Sequence, residues 1–129
     1  MPPELVIPEP IRKLTAGNAE EGIILSWERP KARVGGPRLE DLGSFFVLRG
    51  EADGPMVVVA TLEVSDRDRF RQIQKFRYLD AAVTMGVAYR YVVRSQTLDE
   101  YVSADSNIVE ITRLPPTATP RNVATPTVR

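Results

Sequence analysis

Gly86-Val87-Ala88-Tyr89-Arg90-Tyr91-Val92-Val93-Arg94 is the stretch whose reading decides the fold. Val87, Tyr89, Tyr91 and Val93 fall on one face, and Ala88, Arg90, Val92 and Arg94 on the other. A period of two is what a half-buried β-strand requires, because successive side chains point to opposite sides of the sheet. The apolar, aromatic face has to be covered by a second layer, and the flanking sequence supplies strands for it.

Working outward, Val83-Thr84-Met85-Gly86 turns the chain into this strand, and residues 75–79 read as the strand before it, ending at Asp80. On the other side, Thr97-Leu98-Asp99-Glu100 is a turn, and a last strand is expected over 107–112, with Val109 and Ile111 sharing a face. Further upstream, Ile23, Leu25 and Trp27 alternate with polar positions until Pro30 stops the strand. Phe45, Val47 and Arg49 alternate with Phe46 and Leu48. The run Met56-Val57-Val58-Val59-Ala60-Thr61-Leu62 is so nearly continuous that its buried face stays open. A first strand is expected over 11–16, then a turn at Gly17-Asn18-Ala19-Glu20-Glu21-Gly22.

About seven short strands with turns between them, and no amphipathic helix, predict an all-β fold. The expected form is an immunoglobulin-like β-sandwich of antiparallel strands with Greek-key connections. Residues 1–9 hold three prolines and read as an extended tether, with a short edge strand at 5–7. Met1, followed directly by this tether, reads as an added start. Residues 10–114 make the sandwich. Residues 115–129 read as a Pro/Thr-rich linker, either a disordered tail or the opening of a second module, because their prolines precede a strand-like start as at Pro8 and Pro10.

Composition narrows the chemistry. The 129 residues suffice for one domain with its own core. Seventeen basic residues balance seventeen acidic ones, which gives no overall pull toward nucleic acid. No apolar run approaches the ~20 residues of a membrane-spanning helix. The chain has no cysteine, hence no disulfide, thiolate nucleophile or Cys-based zinc site. It has no histidine either, so a Ser-His-Asp arrangement cannot form within it. The reading is of a protein that is not an enzyme and takes no cofactor.

Five pieces in order resemble the fibronectin type III family. They are Gly22-x-Ile24-x-Ser26-Trp27-Glu28-x-Pro30, Phe45-x-Val47-x-Arg49, Tyr78-x-Asp80, Gly86-x-x-Tyr89-x-Tyr91-x-Val93 and Ser103-x-x-Ser106-Asn107-x-Val109. The resemblance spans roughly residues 8–114. It implies the sandwich topology without an intersheet disulfide, in keeping with the absence of cysteine. Trp27 is expected between the sheets, where an aromatic of this size dominates the core. Tyr89 suits a tyrosine corner, its hydroxyl bonding upstream backbone. Two stretches exceed a minimal module, the polar loop 31–42 and the charged segment Ser65-Asp66-Arg67-Asp68-Arg69-Phe70-Arg71-Gln72. Anything specific to this protein is expected there.

The charged segment reads as a loop or as one helical turn capped by Ser65 or Asp66. Its arginines oppose calcium binding by Asp66 and Asp68. With Arg71, Lys75 and Arg77 they offer a basic patch to an acidic partner or to lipid headgroups, against the plainer reading of a solvated face. Arg67, Arg69, Phe70 and Arg71 are the candidate partner contacts. Glu40-Asp41 is read as a turn or cap rather than an acid–base pair, since sequence neighbours in a loop seldom converge. Arg49-Gly50-Glu51 resembles an adhesion tripeptide but ends in Glu and follows the third strand, so it is set aside.

The proline-rich tether also resembles the segment that follows the lipidated cysteine of bacterial envelope lipoproteins. That implies an extracytoplasmic location, whether periplasmic, outer-membrane-anchored or secreted, and a lipid anchor upstream of this chain. The expected role is a non-catalytic interaction or spacer module that contacts a protein or another envelope component, and not nucleic acid. The alternative is an accessory module of an extracellular carbohydrate-active enzyme whose catalytic domain lies elsewhere.

Overall fold

The alternation around Tyr89 and Tyr91 is realised as a ten-residue strand, and a computed structural model describes residues 6–116 built around it. In chain order the elements are β1 Thr15–Asn18, β2 Ile23–Glu28, β3 Leu42–Glu51, β4 Val57–Glu63, α1 Asp66–Arg71, β5 Lys75–Asp80, β6 Ala88–Thr97 and β7 Val109–Thr112. They form two antiparallel sheets, one ordered β1-β2-β5 and the other β4-β3-β6-β7. Within the four-stranded sheet, β3 and β6 are paired along almost their whole length, from Leu42 opposite Thr97 to Glu51 opposite Tyr89.

The core lies between the sheets. Ile23, Leu25 and Trp27 of β2 face Phe45 and Val47 of β3 and Tyr89, Tyr91 and Val93 of β6 in one buried cluster. Trp27 meets Phe45 edge-on at 5.3 Å between ring centroids and stacks at 6.5 Å with Phe76. Edge-to-face and offset stacking suit the ring quadrupoles. The tyrosine corner is formed as expected: the Thr84 N–H donates to the Tyr89 hydroxyl oxygen at 2.7 Å.

Several boundaries differ from expectation, each for a physical reason. Residues 11–14 are not a strand, although Ile11 and Leu14 plug the core. The Asn107 side chain takes the place of a ladder there, accepting from the Leu14 N–H at 2.9 Å and donating to the Leu14 carbonyl at 3.0 Å. The ladder of β1 begins only at Thr15 and carries on through Gly17 and Asn18, so the turn starts at Ala19.

β7 starts at Val109 rather than 107. The Ser106 and Ser103 hydroxyls accept from the β6 amides of Val93 and Ser95, at 2.9 and 3.0 Å. Hydroxyls thereby satisfy donors that a longer β7 would otherwise pair.

The open question of β4 is settled by a bulge. Val47 opposes Ala60 and Leu48 opposes Val58, which leaves Val59 without a partner in the register. The inward side therefore switches there, and Val59, Ala60 and Leu62 all pack on the core. Val57 and Val58 stay exposed.

Of the N-terminal tether, residues 6–9 lie along the loop between β2 and β3. Pro8 makes an isolated bridge with Arg33, and the Val34 N–H donates to the Ile7 carbonyl at 2.9 Å. Leu5 of the expected edge strand, and the expected linker from residue 117 onward, lie outside the described residues. No helix among them is long and apolar enough to cross a membrane.

Candidate functional site

The two stretches longer than a minimal sandwich requires meet in space. α1 is the helical reading of the charged segment. Ser65 is its N-cap, its Oγ accepting from the Asp68 N–H at 3.1 Å. Acidic Asp66 and Asp68 sit in the first turn and basic Arg69 and Arg71 in the last, the order that complements the helix dipole. Gln72 ends the helix in the left-handed region, at φ 54°. None of the helix residues is buried, so packing does not hold α1 to the body.

Polar struts hold it instead. Arg69 Nη1 donates to the Leu42 carbonyl at 2.8 Å and the Val64 carbonyl at 3.1 Å, while its Nη2 pairs with Asp66. From the facing loop, Arg38 Nη2 donates to Gln72 Oε1. Between loop and helix lies a groove of about 470 Å³, lined by Arg29, Leu39, Glu40, Asp66, Arg69, Phe70 and Gln72. A smaller groove of about 320 Å³ shares Arg29, Leu39 and Gln72 with it and adds Lys31, Arg38 and Gln74.

The four candidate contacts divide. Arg69 is a strut and part of the groove wall. Phe70 lies on the same wall with 88% of its surface exposed, the most exposed large apolar side chain among the described residues. Arg67 and Arg71 are exposed and line neither groove. Lys75 and Arg77, grouped with them in sequence, line a separate groove of about 340 Å³ with Lys13, Thr15 and Ser26.

The residue that sequence reading missed is Arg29. It follows β2 directly, and its backbone N–H donates to the Gln74 carbonyl at 2.8 Å. Its side chain is 6% exposed. Nη2 donates to the Leu39 carbonyl at 3.2 Å, but Nη1 has no partner, and no carboxylate pairs with the group among the described residues. Burial holds its guanidinium below the ordinary arginine value, and the charges of Arg38 and Arg69 push the same way. The one available signal was its place at the mouth of the long loop.

The carboxylates nearby are accounted for differently. Asp41 is held by Arg33 at 2.7 Å, so Glu40 and Asp41 do not act as a pair. No three Asp, Glu, His or Cys groups converge to hold a metal ion among the described residues. What remains is a shallow groove of mixed charge, with the buried, unpaired Arg29 in its wall and an exposed aromatic at its side, suited to binding.

No family model and no curated protein matches the sequence. Solved structures do match the fold. A Fn3-like protein from Clostridium thermocellum is 19% identical with a TM-score of 0.56, the match covering 90% of this chain and 98% of that one. The chain has the fibronectin type III fold. The twitchin kinase region from C. elegans matches at 17% identity and a TM-score of 0.61, over 83% of this chain but only 17% of its own. A β-1,2-glucanase from Parabacteroides distasonis matches at 19% identity and a TM-score of 0.57, over 84% of this chain and 13% of its own. The fold thus occurs as a small part of longer chains. The tyrosine corner, the buried Trp27 and the sheet orders β1-β2-β5 and β4-β3-β6-β7 of this chain suit that fold.

Proposed function

We propose that this chain is a non-catalytic interaction module of a bacterial envelope or secreted protein, and that it meets its partner at the groove between the β2–β3 loop and α1. The observation that carries this reading is the convergence of the two insertions. The helix buries no residue of its own, yet Arg38 and Arg69 fasten it to the facing loop and Phe70 is left in water. Phe70 gives a partner a large apolar side chain to cover beside that groove, and aromatic residues are enriched at contact surfaces. The tether of residues 1–9, with its likeness to the start of lipoproteins, supports the extracytoplasmic location.

The test uses intact cells that make the full-length protein, with a photo-crosslinking residue in place of Phe70 or, as control, Val58. An adduct from position 70 and none from position 58, together with digestion by protease reaching only the periplasm or cell surface, is the expected result. Absence of any adduct from position 70, or protection from protease in every fraction but the cytoplasmic one, would sink it.

A second reading, an accessory module of an extracellular carbohydrate-active enzyme, is favoured by the β-1,2-glucanase, in which this fold is a minor share of the chain. An intact mass several times that of this module would favour it.

A further inference from the structure

We propose that the guanidinium groups of Arg29, Arg38 and Arg69 form a receptor for one carboxylate side chain of a partner protein, with Phe70 covering an apolar residue beside it. This rests on the reading of the groove as a contact surface and names the chemistry that the surface takes.

Arg29 is the centre of the inference. A buried charge is normally paired, because taking an ion out of water costs several kcal/mol that only an opposite charge or a full set of hydrogen bonds offsets. Arg29 is almost fully buried, has one carbonyl on Nη2, nothing on Nη1 and no carboxylate at all among the described residues. Two further guanidinium groups raise the positive potential around it rather than relieving it. They come from separate elements. Arg38 belongs to the β2–β3 loop and is tied to Gln72, and Arg69 belongs to α1 and is tied to Leu42 and Val64. The cluster is therefore preorganised by bonds that do not neutralise it, apart from the Arg69 pairing with exposed Asp66.

The charge inventory selects the ligand. Of the cations on the two groove walls, Arg69 is paired with Asp66, and Lys31 and Arg38 are exposed to water, which leaves Arg29 as the one buried cation without a counter-charge among the described residues. That complements a single carboxylate. A polymer with a carboxylate on every unit would meet Glu40 and Asp66 with its neighbouring charges, and like-charge juxtaposition opposes binding. A guanidinium also presents a planar fork of donors that matches carboxylate geometry. Phe70, so exposed and on the same wall, offers apolar area next to that fork, as a Leu or Val flanking a Glu would require.

The experiment is an NMR titration of the whole chain with two capped peptides, acetyl-Leu-Glu-Leu-amide and acetyl-Leu-Gln-Leu-amide, and with tetragalacturonate. Shifts at the Arg29 and Arg69 Nε–H signals and at the Phe70 ring are expected with the Glu peptide. That peptide should bind about tenfold more tightly than its Gln analogue, the ratio a charge-assisted hydrogen bond supplies. Arg38→Gln, at an exposed position, should remove most of that preference while leaving the amide spectrum of the sandwich unchanged. Arg29→Gln should do the same, and the Arg38 variant keeps the test decisive if the buried substitution fails to fold.

Equal binding of the Glu and Gln peptides, or a preference that survives in the Arg38→Gln protein, overturns the proposal. Tighter binding of tetragalacturonate through the same signals overturns it in favour of a polymer. A crosslink from position 70 without any Glu preference leaves the interaction module standing and removes the carboxylate. A Glu preference without the crosslink does the reverse.

Discussion

Arg49 on β3 reaches across to Asp80 at the end of β5, its Nη1 lying 2.8 Å from Oδ2 and 3.1 Å from Oδ1. The two strands belong to different sheets, so the pair ties the sandwich together. Asp80 is 2% exposed and also accepts from the Tyr91 hydroxyl at 2.7 Å and the Ala82 N–H at 3.2 Å. Burial alone would lower the Arg49 pKa, but its hydrogen bond to Asp80 and that group's charge raise it on balance, with Tyr91 and Tyr89 adding to the effect. The guanidinium sits 5.4 Å from the centre of the Tyr89 ring. In a chain without cysteine, this polar network ties the two sheets together with no covalent link between them.

Removing one member of such a network strands the others. Asp80→Asn keeps the shape but leaves Arg49 without a counter-charge, and breaking a buried pair in this way costs about 3 kcal/mol. Urea unfolding should show that loss, with Tyr91→Phe alone losing about 1 kcal/mol. The double variant should lose less than the sum, because the two share one oxygen. Strict additivity would mean that the tie is not cooperative.

The same network sets a response to alkali. Burial, then the hydrogen bond to Asp80 and its negative charge, push the Tyr91 phenol above its ordinary 10.0, while Arg49 opposes them. The folded state therefore keeps a proton that the unfolded chain gives up. Stability from this group is fully present below pH about 10 and is lost as the pH rises above it, by up to about 1.4 kcal/mol per unit. Urea midpoints measured from pH 8 to 11 should fall at the upper end. Tyr91→Phe should fall less steeply. Parallel slopes would remove Tyr91 from the account.

Gly22, between the β1–β2 turn and β2, is constrained by space rather than by a positive φ. A Cβ there would stand 2.1 Å from the Asp80 carbonyl oxygen and 2.9 Å from its carbon. Both are backbone, and Ile23 is paired with Asp80 in the β2–β5 ladder, so nothing nearby can move aside cheaply. Gly22→Ala should cost about 1–3 kcal/mol, with the strain appearing at Asp80 and in its bonds to Arg49. The intrinsic fluorescence of Trp27, the sole tryptophan, reports the midpoint directly.

That glycine shows how the fold came to be legible while the site did not. Period-two alternation in β2, β3 and β6 records burial between two layers, and burial is a property each residue carries in its own side chain. Where the alternation failed, at Val57-Val58-Val59-Ala60, the cause was a bulge, which depends on the partner strand and leaves no mark in a uniform β-branched run. The strand expected from residue 11 begins only at Thr15, because Asn107, far along the chain, supplies the hydrogen bonds at Leu14. Arg29 was invisible for the same reason. Its isolation is a matter of what surrounds it in three dimensions, and one arginine before a proline looks like any other solvated charge. The two long insertions could be singled out in sequence as excess length, but only their meeting makes a groove.

Arg69 separates a strut from a contact. If its bonds to the Leu42 and Val64 carbonyls are what hold α1, then Arg69→Ala should free the helix without unfolding the sandwich, since no helix residue is buried. Losing two hydrogen bonds from a charged donor should raise local opening by about tenfold. Amide exchange at position 69, whose N–H donates to the Ser65 carbonyl, and at Ile73, bonded to the Asp68 carbonyl, should quicken by that factor. Val92 and Val93 in β6 should exchange as before, because their protection follows global stability. The substitution Arg67→Ala, at an exposed position of the same helix, should leave all four amides unchanged. Equal effects from the two variants would show that α1 is held by something other than Arg69, and the groove would then owe its shape to the Arg38–Gln72 bond alone.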